Sequence, residues 1–343
     1  MNNAEITIKN IWAPDETYSN HRIPGMIITS KGTLIIYNEA RRTASDWANM
    51  DIFIQRSEDK GETFGEPIYI AHGTKEFNTV NNPVMLEDAL GRLHILYLRD
   101  YSINGGGAWQ RTSTDDGLSW SEPKEITEFT MPEFHNAFAF GPGHGICSKD
   151  GLLIVPIWMV PKSANAPISK HHPSVLSTFC STDNGETWFM GEIIGKQNEI
   201  IDPNETVAAE CSNGQVMLYI RSLAHYRTLA YSDTGYDGWT EMIPHKELID
   251  PVCFGSVVTY DGLDGRYALL SVNCASENER KNVTLRVSFD DGKTWDIKRT
   301  IDADRGGYAD IAVDEKNGLI YVLYEENFGQ TVYLAKMNPE WIL

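Results

Sequence analysis

Basic side chains are scarce in this sequence of 343 residues, which has 29 lysines and arginines against 48 aspartates and glutamates and a formal net charge of −19. Nucleic acids and anionic membrane surfaces are bound through broad basic faces, so we expect neither as a partner. The sequence also has no apolar run of the roughly 18 residues that a membrane-spanning helix needs, so no membrane insertion is expected.

Cysteine is also rare, and neither the cysteines nor the nine histidines show a metal-binding spacing. We therefore expect no metal and no cofactor. An odd, dispersed set of cysteines is typical of reduced, buried thiols. The set consists of Cys147, Cys180, Cys211, Cys253 and Cys274.

The first residues contain no basic segment followed by an apolar run, so no secretion signal is visible. Two glycosylation sequons, at Asn204 and Asn282, lie in segments that are assigned below to the active site, where a glycan would be disruptive. Both observations favour a cytoplasmic, bacterial protein, or a secreted one if a leader has been removed. The oligomeric state is left open.

A repeated turn is the strongest feature that is present. The pattern Ser-x-Asp-x-Gly-x-Thr/Ser-aromatic begins at Ser57, Ser113, Ser181 and Ser288, and a degenerate copy begins at Ser232. Asp and Gly at these offsets form a capped turn with positive φ, and the apolar or alternating residues before each copy predict strands. Such a unit every roughly 50 to 70 residues is typical of a β-propeller with four-stranded blades.

Helical periodicity is nearly absent, and no linker or low-complexity tract interrupts the repeats. We therefore predict an all-β fold, a six-bladed β-propeller, with residues 1–343 forming one domain and the two chain ends sharing a blade. The repeated turns themselves are interpreted as structural staples. Because propeller pockets lie at the central channel, function is expected from charged residues embedded in strand-like segments. Four arginines have this context: Arg22, Arg41, Arg221 and Arg280.

The order of motifs around these arginines resembles that of the exo-sialidase (neuraminidase) family, whose members carry Asp-box (BNR) repeats. The similar segments span nearly the whole chain. They are Arg22-Ile-Pro, Glu-Ala-Arg41 followed by Ser-Asp46, Gly141-Pro-Gly-His-Gly, Pro-Asn-Glu205-Thr through Arg221, Arg280-Lys-Asn-Val, and Gly-Gly-Tyr308-Ala-Asp. The resemblance implies a retaining exo-α-sialidase that removes terminal sialic acids from glycoconjugates through a tyrosyl-enzyme intermediate.

The resemblance also implies a role for each catalytic residue. Tyr308 would be the nucleophile, Glu205 its base, and Asp46 the acid and base at the leaving oxygen. A phenol avoids the repulsion that a carboxylate nucleophile would meet from the substrate's own carboxylate. Asp51 is the competitor of Asp46. Arg41 would fix the Asp46 loop or touch a substrate oxygen, a part that the adjacent Arg42 could also take.

Arg22, Arg221 and Arg280 would form an arginine trio that binds the substrate carboxylate, because guanidinium groups pair well with carboxylates. Three such cations repel one another by roughly 4 kcal/mol per pair at an effective dielectric constant of 20, so acidic neighbours are expected. The candidates are Glu39, Glu325 and Glu210, of which Glu210 is assigned to the substrate site. All three could equally be ordinary strand carboxylates.

No motif in the sequence identifies the residues that contact the rest of the substrate. Asn82 is assigned to the substrate site. The candidates for residues that contact the C5 substituent are Asn82, Trp109 and Trp158. His171 and His172 could line the rim, although a solvated turn is favoured. The alternatives for function are hydrolysis of another nonulosonic acid (Kdn or Kdo), transfer of sialic acid, or a non-catalytic propeller that binds sialoglycans.

Overall fold

The structure is a computed structural model that describes residues 3–76, 78–100, 107–162, 171–195, 201–326 and 328–343. Its strands form six mainly antiparallel sheets of four or five strands each, which are the blades of a propeller. The prediction of an all-β, six-bladed propeller is therefore confirmed. Within these ranges there are two short helices, a 3-10 helix (Thr127–Thr130) and α1 (Pro339–Ile342).

The strands follow one another around the ring, blade by blade. β1 (Ile6–Trp12) precedes blade 1, which contains β2 (Asn20–Ile28), β3 (Leu34–Arg41), β4 (Met50–Ser57) and β5 (Ile68–His72). Blade 2 contains β6 (Val80–Glu87), β7 (Leu93–Arg99), β8 (Gly107–Ser113) and β9 (Lys124–Glu125). Blade 3 contains β10 (His135–Phe140), β12 (Ile146–Cys147), β13 (Leu153–Pro161), β14 (Val175–Ser181) and β15 (Phe189–Met190), while β11 (Gly143–His144) pairs in parallel with β6 of blade 2.

The second half of the ring is more regular. Blade 4 contains β16 (Thr206–Glu210), β17 (Val216–Ile220), β18 (Tyr226–Ser232) and β19 (Ile243–Ile249). Blade 5 contains β20 (Ser256–Leu263), β21 (Arg266–Cys274), β22 (Val283–Ser288) and β23 (Ile297–Asp302). Blade 6 contains β24 (Ala309–Asp314), β25 (Leu319–Glu326) and β26 (Thr331–Met337), and β1 completes it by pairing with β26. The two chain ends thus share a blade, as predicted.

The repeated turns connect the third and fourth strands of blades 1 to 5. In the first copy the Ser57 hydroxyl donates to Asp59 and accepts the Gly61 N–H, both at 2.8 Å, and Gly61 has a φ of +78°. The degenerate copy has no aspartate at this position, and Ser232 donates instead to the backbone oxygen of Asp237. Blade 6 has no such connection because its outermost strand is the first of the chain, which explains five copies for six blades.

The hydrophobic core lies between neighbouring sheets, where the inner strands are almost completely buried. All five cysteines are free thiols, four of them buried and Cys147 partly exposed. Over the described part of the chain, no helix has the length and apolarity needed to cross a membrane. Since antiparallel strands alternate in direction, the starts of the innermost strands and the loops between second and third strands meet at one end of the channel. The repeated turns lie at the other end.

Candidate active site

A pocket of about 310 Å³ opens at the end of the channel where the innermost strands begin. It brings together eight of the nine residues assigned to the site from the sequence, all except Glu210. The lining consists of Arg22, Ile23, Arg41, Asp46, Asn81, Asn82, Trp158, His171, His172, Asn204, Glu205, Arg221, Arg280, Tyr308 and Phe328.

Tyr308 and Glu205 form a hydrogen-bonded pair at the centre of the pocket. The Tyr308 hydroxyl donates to Glu205 Oε1 at 2.5 Å, while Arg221 Nη1 donates to the Tyr308 oxygen at 2.8 Å and also contacts Glu205 Oε2. Burial raises the pKa of Tyr308 above its ordinary value near 10, Glu205 raises it further, and the surrounding arginines oppose the shift. The phenol is therefore protonated at rest, with a carboxylate placed to accept its proton.

The arginine trio surrounds the Tyr308 ring. The guanidinium carbons of Arg22, Arg280 and Arg221 lie 4.8, 5.3 and 5.9 Å from the ring centroid. Arg22 Nε donates to Glu325 Oε1 at 2.8 Å. The buried Nη1 of Arg280 has no hydrogen-bond partner among the residues that the structure describes. A buried, unpaired guanidinium nitrogen in a polar pocket is a site for an anion.

Glu325 and two glycines hold Tyr308 in place. Glu325 Oε1 also accepts the Ile23 N–H at 2.9 Å, and its Oε2 accepts the Tyr308 N–H at 3.3 Å. A Cβ on Gly307 would lie 2.7 Å from the Cβ of Glu325, and one on Gly306 would lie 2.9 Å from the backbone of Lys281. The Gly-Gly sequence before Tyr308 is thus needed for the close approach of three segments.

Asp46 is held by Arg41, which is itself held by Glu39. Arg41 Nη1 donates to Asp46 Oδ1 at 2.5 Å and Arg41 Nε donates to Glu39 Oε2 at 2.8 Å. The Asn82 N–H donates to Glu39 Oε1 at 2.6 Å. Burial acts to raise the pKa of Asp46, but Arg41 outweighs it and the pKa lies below its ordinary value. Asp46 is therefore ionised in the unliganded pocket.

The two competitors lie elsewhere. Arg42 Nη2 donates to Asp51 Oδ2 at 2.9 Å, and the Tyr18 hydroxyl donates to the same oxygen at 2.5 Å. Neither Asp51 nor Arg42 lines the pocket. The geometry therefore favours Asp46 over Asp51 and Arg41 over Arg42.

The assignment of Glu210 is corrected by the structure. Glu210 Oε2 accepts the Lys149 N–H at 2.9 Å, and Glu210 lines a separate cavity near the other end of the channel. Glu205 precedes β16 and Glu210 ends it, so the two residues are five steps apart along a strand, about 16 Å. Of the three expected acidic neighbours, only Glu39 and Glu325 lie beside pocket arginines. Trp109 also lies outside the pocket, against Arg99.

His171 and His172 line the pocket, contrary to the expectation of a solvated turn. The rings of His171 and Trp158 are 5.1 Å apart, and burial lowers the pKa of His171. His172 Nδ1 lies 2.7 Å from Asp202 Oδ2, and Asp202 Oδ1 accepts the Ser174 N–H at 2.7 Å. Asp202 thereby ties this segment to the one that carries Glu205. Sequence reasoning missed this link, because no local sequence pattern reports a contact between two loops.

The fold and the pocket together define a six-bladed propeller with an arginine-lined site around a Tyr–Glu pair. In the described part of the chain, no group of three or more His, Cys, Asp or Glu side chains could hold a metal ion. The family model for the BNR repeat-like domain matches residues 32–322. The chain therefore belongs to this family, among the sialidases that carry BNR repeats.

Relatives support the same placement. The chain is 29% identical over 355 residues to a sialidase of Micromonospora viridifaciens, covering 95% of this chain and 53% of that protein. It is 27% identical over 359 residues to a sialidase of Bacteroides fragilis, covering 94% of this chain and 63% of that protein. The solved Hadza microbial sialidase Hz136 superposes with a TM-score of 0.83 at 25% identity, covering 94% of this chain and 66% of that one. The chain thus spans between half and two thirds of the length of these curated relatives.

Proposed function

We propose that this protein is a retaining exo-α-sialidase, which hydrolyses terminal sialic acids of glycoconjugates. One observation carries the proposal: the unpartnered Nη1 of Arg280 lies beside two more arginines around the hydrogen-bonded Tyr308–Glu205 pair. This arrangement combines an anion site with a hydroxyl that is hydrogen-bonded to a carboxylate. A sialic acid has the matching chemistry, since its carboxylate is attached to the anomeric carbon itself.

In the first step the trio binds the substrate carboxylate and orients the anomeric carbon toward the Tyr308 oxygen. The phenol oxygen attacks this carbon as its proton passes to Glu205 Oε1, 2.5 Å away. The bond to the leaving oxygen breaks, and that oxygen takes a proton from Asp46, which acquires this proton from solvent when the anionic substrate binds. The products of the step are the free aglycone and a sialyl group bound to Tyr308.

In the second step a water molecule attacks the anomeric carbon as Asp46, now ionised, takes its proton. The bond between the sugar and Tyr308 breaks, and the phenolate recovers the proton from Glu205. Two displacements at one carbon give net retention of configuration. Arg41 contributes by holding the Asp46 carboxylate at the pocket.

Two alternative activities would use the same catalytic residues. Hydrolysis of Kdn or Kdo would use the same Tyr308–Glu205 pair, and transfer of sialic acid would replace the attacking water by a sugar hydroxyl. A non-catalytic sialoglycan-binding propeller has no need for the tight Tyr308–Glu205 hydrogen bond, which argues against it.

The decisive experiment measures release of 4-methylumbelliferone from its α-glycosides of N-acetylneuraminic acid and Kdn, with the wild type and with Tyr308→Phe. We expect turnover of the N-acetylneuraminic acid glycoside by the wild type and almost none by Tyr308→Phe. If the wild type cleaves neither glycoside, the proposal is wrong. If Tyr308→Phe retains full activity, the nucleophile is another residue. Product analysis with added lactose separates hydrolysis from transfer.

A further inference from the structure

A second polar cavity lies between blades 4 and 5, outside the pocket described above. This groove has a volume of about 740 Å³ and runs between β19 on one side and β22 and β23 on the other. Asn282, one of its lining residues, is two positions after Arg280, so the groove begins within about 7 Å of chain from the candidate active site. Nothing in the proposed mechanism uses it.

The sheet register places a cationic, hydroxyl-bearing face on this groove. Across β22 and β23, Arg286 is directly opposite Lys298, and Thr284 is directly opposite Thr300. Residues two apart on a strand share a face, so these four side chains lie on the same side of the sheet. Like charges directly opposite each other are destabilising. An anion bound between them would remove that repulsion.

Arg286 is the unusual member of this face, because it is a buried cation with no carboxylate in ion-pair contact among the residues that the structure describes. Its side chain is 2% exposed, and its one hydrogen bond within the described residues runs from Nη1 to the neutral amide oxygen of Asn273 at 2.6 Å. Its Nε has no partner there. Burial lowers the pKa of Arg286 despite opposing contributions from Tyr219, Asp250 and Glu247. Buried charges in proteins are normally paired, so this one calls for a counter-ion.

The formal charges of the other groove residues cancel. Lys246 and Lys298 line it with no carboxylate within ion-pair distance in the described ranges, and Glu247 and Asp296 are the acidic members. Glu247 Oε2 already accepts the Trp295 N–H at 2.8 Å. Arg286 therefore leaves the groove with one excess positive charge, in a protein whose net charge is −19.

We propose that this groove binds the acidic group of a saccharide, with a carboxylate or another oxyanion between Arg286 and Lys298 and sugar hydroxyls on Thr284 and Thr300. Paired guanidinium and ammonium donors match an oxyanion, and the cavity volume is in the range of sites that hold a whole ligand of one or two rings. A bare inorganic anion would use the cations alone and leave most of the groove unfilled.

The test is a calorimetric titration of an Arg280→Met variant, in which anion binding at the candidate active site is weakened by the loss of one arginine of the trio. Two matched probes are used, 4-nitrophenyl β-D-glucuronide and the uncharged 4-nitrophenyl β-D-glucoside. We expect the glucuronide to bind at least about tenfold more tightly than the glucoside, because only the former carries the charge. Adding Lys298→Gln should weaken glucuronide binding about fivefold or more, and adding Arg286→Met should abolish it.

Lys298 is exposed, so Lys298→Gln keeps the test decisive even if Arg286→Met does not fold. Lys316→Gln, an exposed lysine outside the groove, is the matched control and should leave binding unchanged. Equal binding of the two probes, or glucuronide binding unaffected by Lys298→Gln, would overturn the proposal. Inorganic phosphate that binds as tightly as the glucuronide would overturn the saccharide part of it. Since no turnover is measured, failure of the proposed sialidase activity leaves this result unaffected.

Discussion

Replacement of Glu205 by glutamine tests the central pair most directly. Glutamine has nearly the same shape and can still accept the hydrogen bond that Tyr308 now donates to Glu205 Oε1 at 2.5 Å. It cannot, however, take up the phenolic proton. The change therefore removes the proposed base while leaving the packing of the pocket almost intact.

The expected loss follows from the pKa of the phenol. Ionisation of an ordinary tyrosine, with a pKa of about 10, costs roughly 4 kcal/mol at pH 7. If this cost is added to the activation free energy, the rate falls by about a thousandfold. Burial and Glu205 raise the pKa of Tyr308 above that value, whereas removal of the Glu205 charge lowers it again in part. We therefore expect Glu205→Gln to reduce kcat/KM by about a thousandfold, within the range of roughly 10² to 10⁴ for general base catalysis.

The assay is the initial rate of 4-methylumbelliferone release from the α-glycoside of N-acetylneuraminic acid, with thermal unfolding to show that the variant is folded. The matched control is Glu210→Gln, which removes a carboxylate from the other end of the same inner strand. Because Glu210 lies outside the pocket, kcat/KM of the control should stay within about twofold of the wild type. If Glu205→Gln retains more than about a tenth of wild-type kcat/KM, Glu205 is not the base.

Three further perturbations have defined outcomes. Gly307→Ala places a Cβ 2.7 Å from the Cβ of Glu325, so kcat/KM and the melting temperature should both fall, whereas Gly65→Ala, with its nearest neighbour at 3.7 Å, should change neither. Ser181→Ala removes the acceptor of the Gly185 N–H in a turn far from the pocket, so urea unfolding should show a loss of about 1 to 3 kcal/mol with unchanged kcat/KM. Arg41→Met removes the cation that lowers the pKa of Asp46, so the protonated form of Asp46 should persist to higher pH. The falling limb of the pH–kcat/KM profile should then move to higher pH, and an unshifted limb would contradict this role of Arg41.

The fold was predictable because the repeated turn is a local structure. Ser57, Asp59 and Gly61 satisfy one another within five residues, so their pattern survives in the sequence wherever a third strand turns into a fourth. The ring closure was predictable as well. Five turns account for five blades, and the strand-forming segments at the two chain ends together form the sixth. The degenerate turn at Ser232 keeps the glycine contact, but its serine donates to the backbone at Asp237 in place of an aspartate side chain.

The candidate site was predictable where its residues lie in recognisable segments at the starts of inner strands. Glu210 was assigned to the site because it lies close to Glu205 in the sequence. An extended strand runs between the two residues, however, and places them near opposite ends of the channel. The Asp202 contacts were not predictable for a related reason. They join the approach to blade 4 with the segment before β14 of blade 3, at His172 and Ser174, and no local pattern reports a contact between two loops.

The charges of the pocket couple substrate binding to a proton. Four cations and four carboxyl groups meet there, and their formal charges cancel: Arg22, Arg41, Arg221 and Arg280 against Glu39, Asp46, Glu205 and Glu325. An anionic substrate adds one negative charge, which favours the uptake of one proton. Asp46 is the acceptor that the proposed mechanism requires, since it must donate a proton to the leaving oxygen, and its side chain is 57% exposed and so open to proton exchange with solvent. We therefore expect Asp46, which is ionised beside Arg41 in the unliganded pocket, to become protonated when substrate binds. Calorimetry in buffers of different ionisation enthalpy should detect the uptake of up to one proton. The Asp46→Asn variant should abolish this uptake.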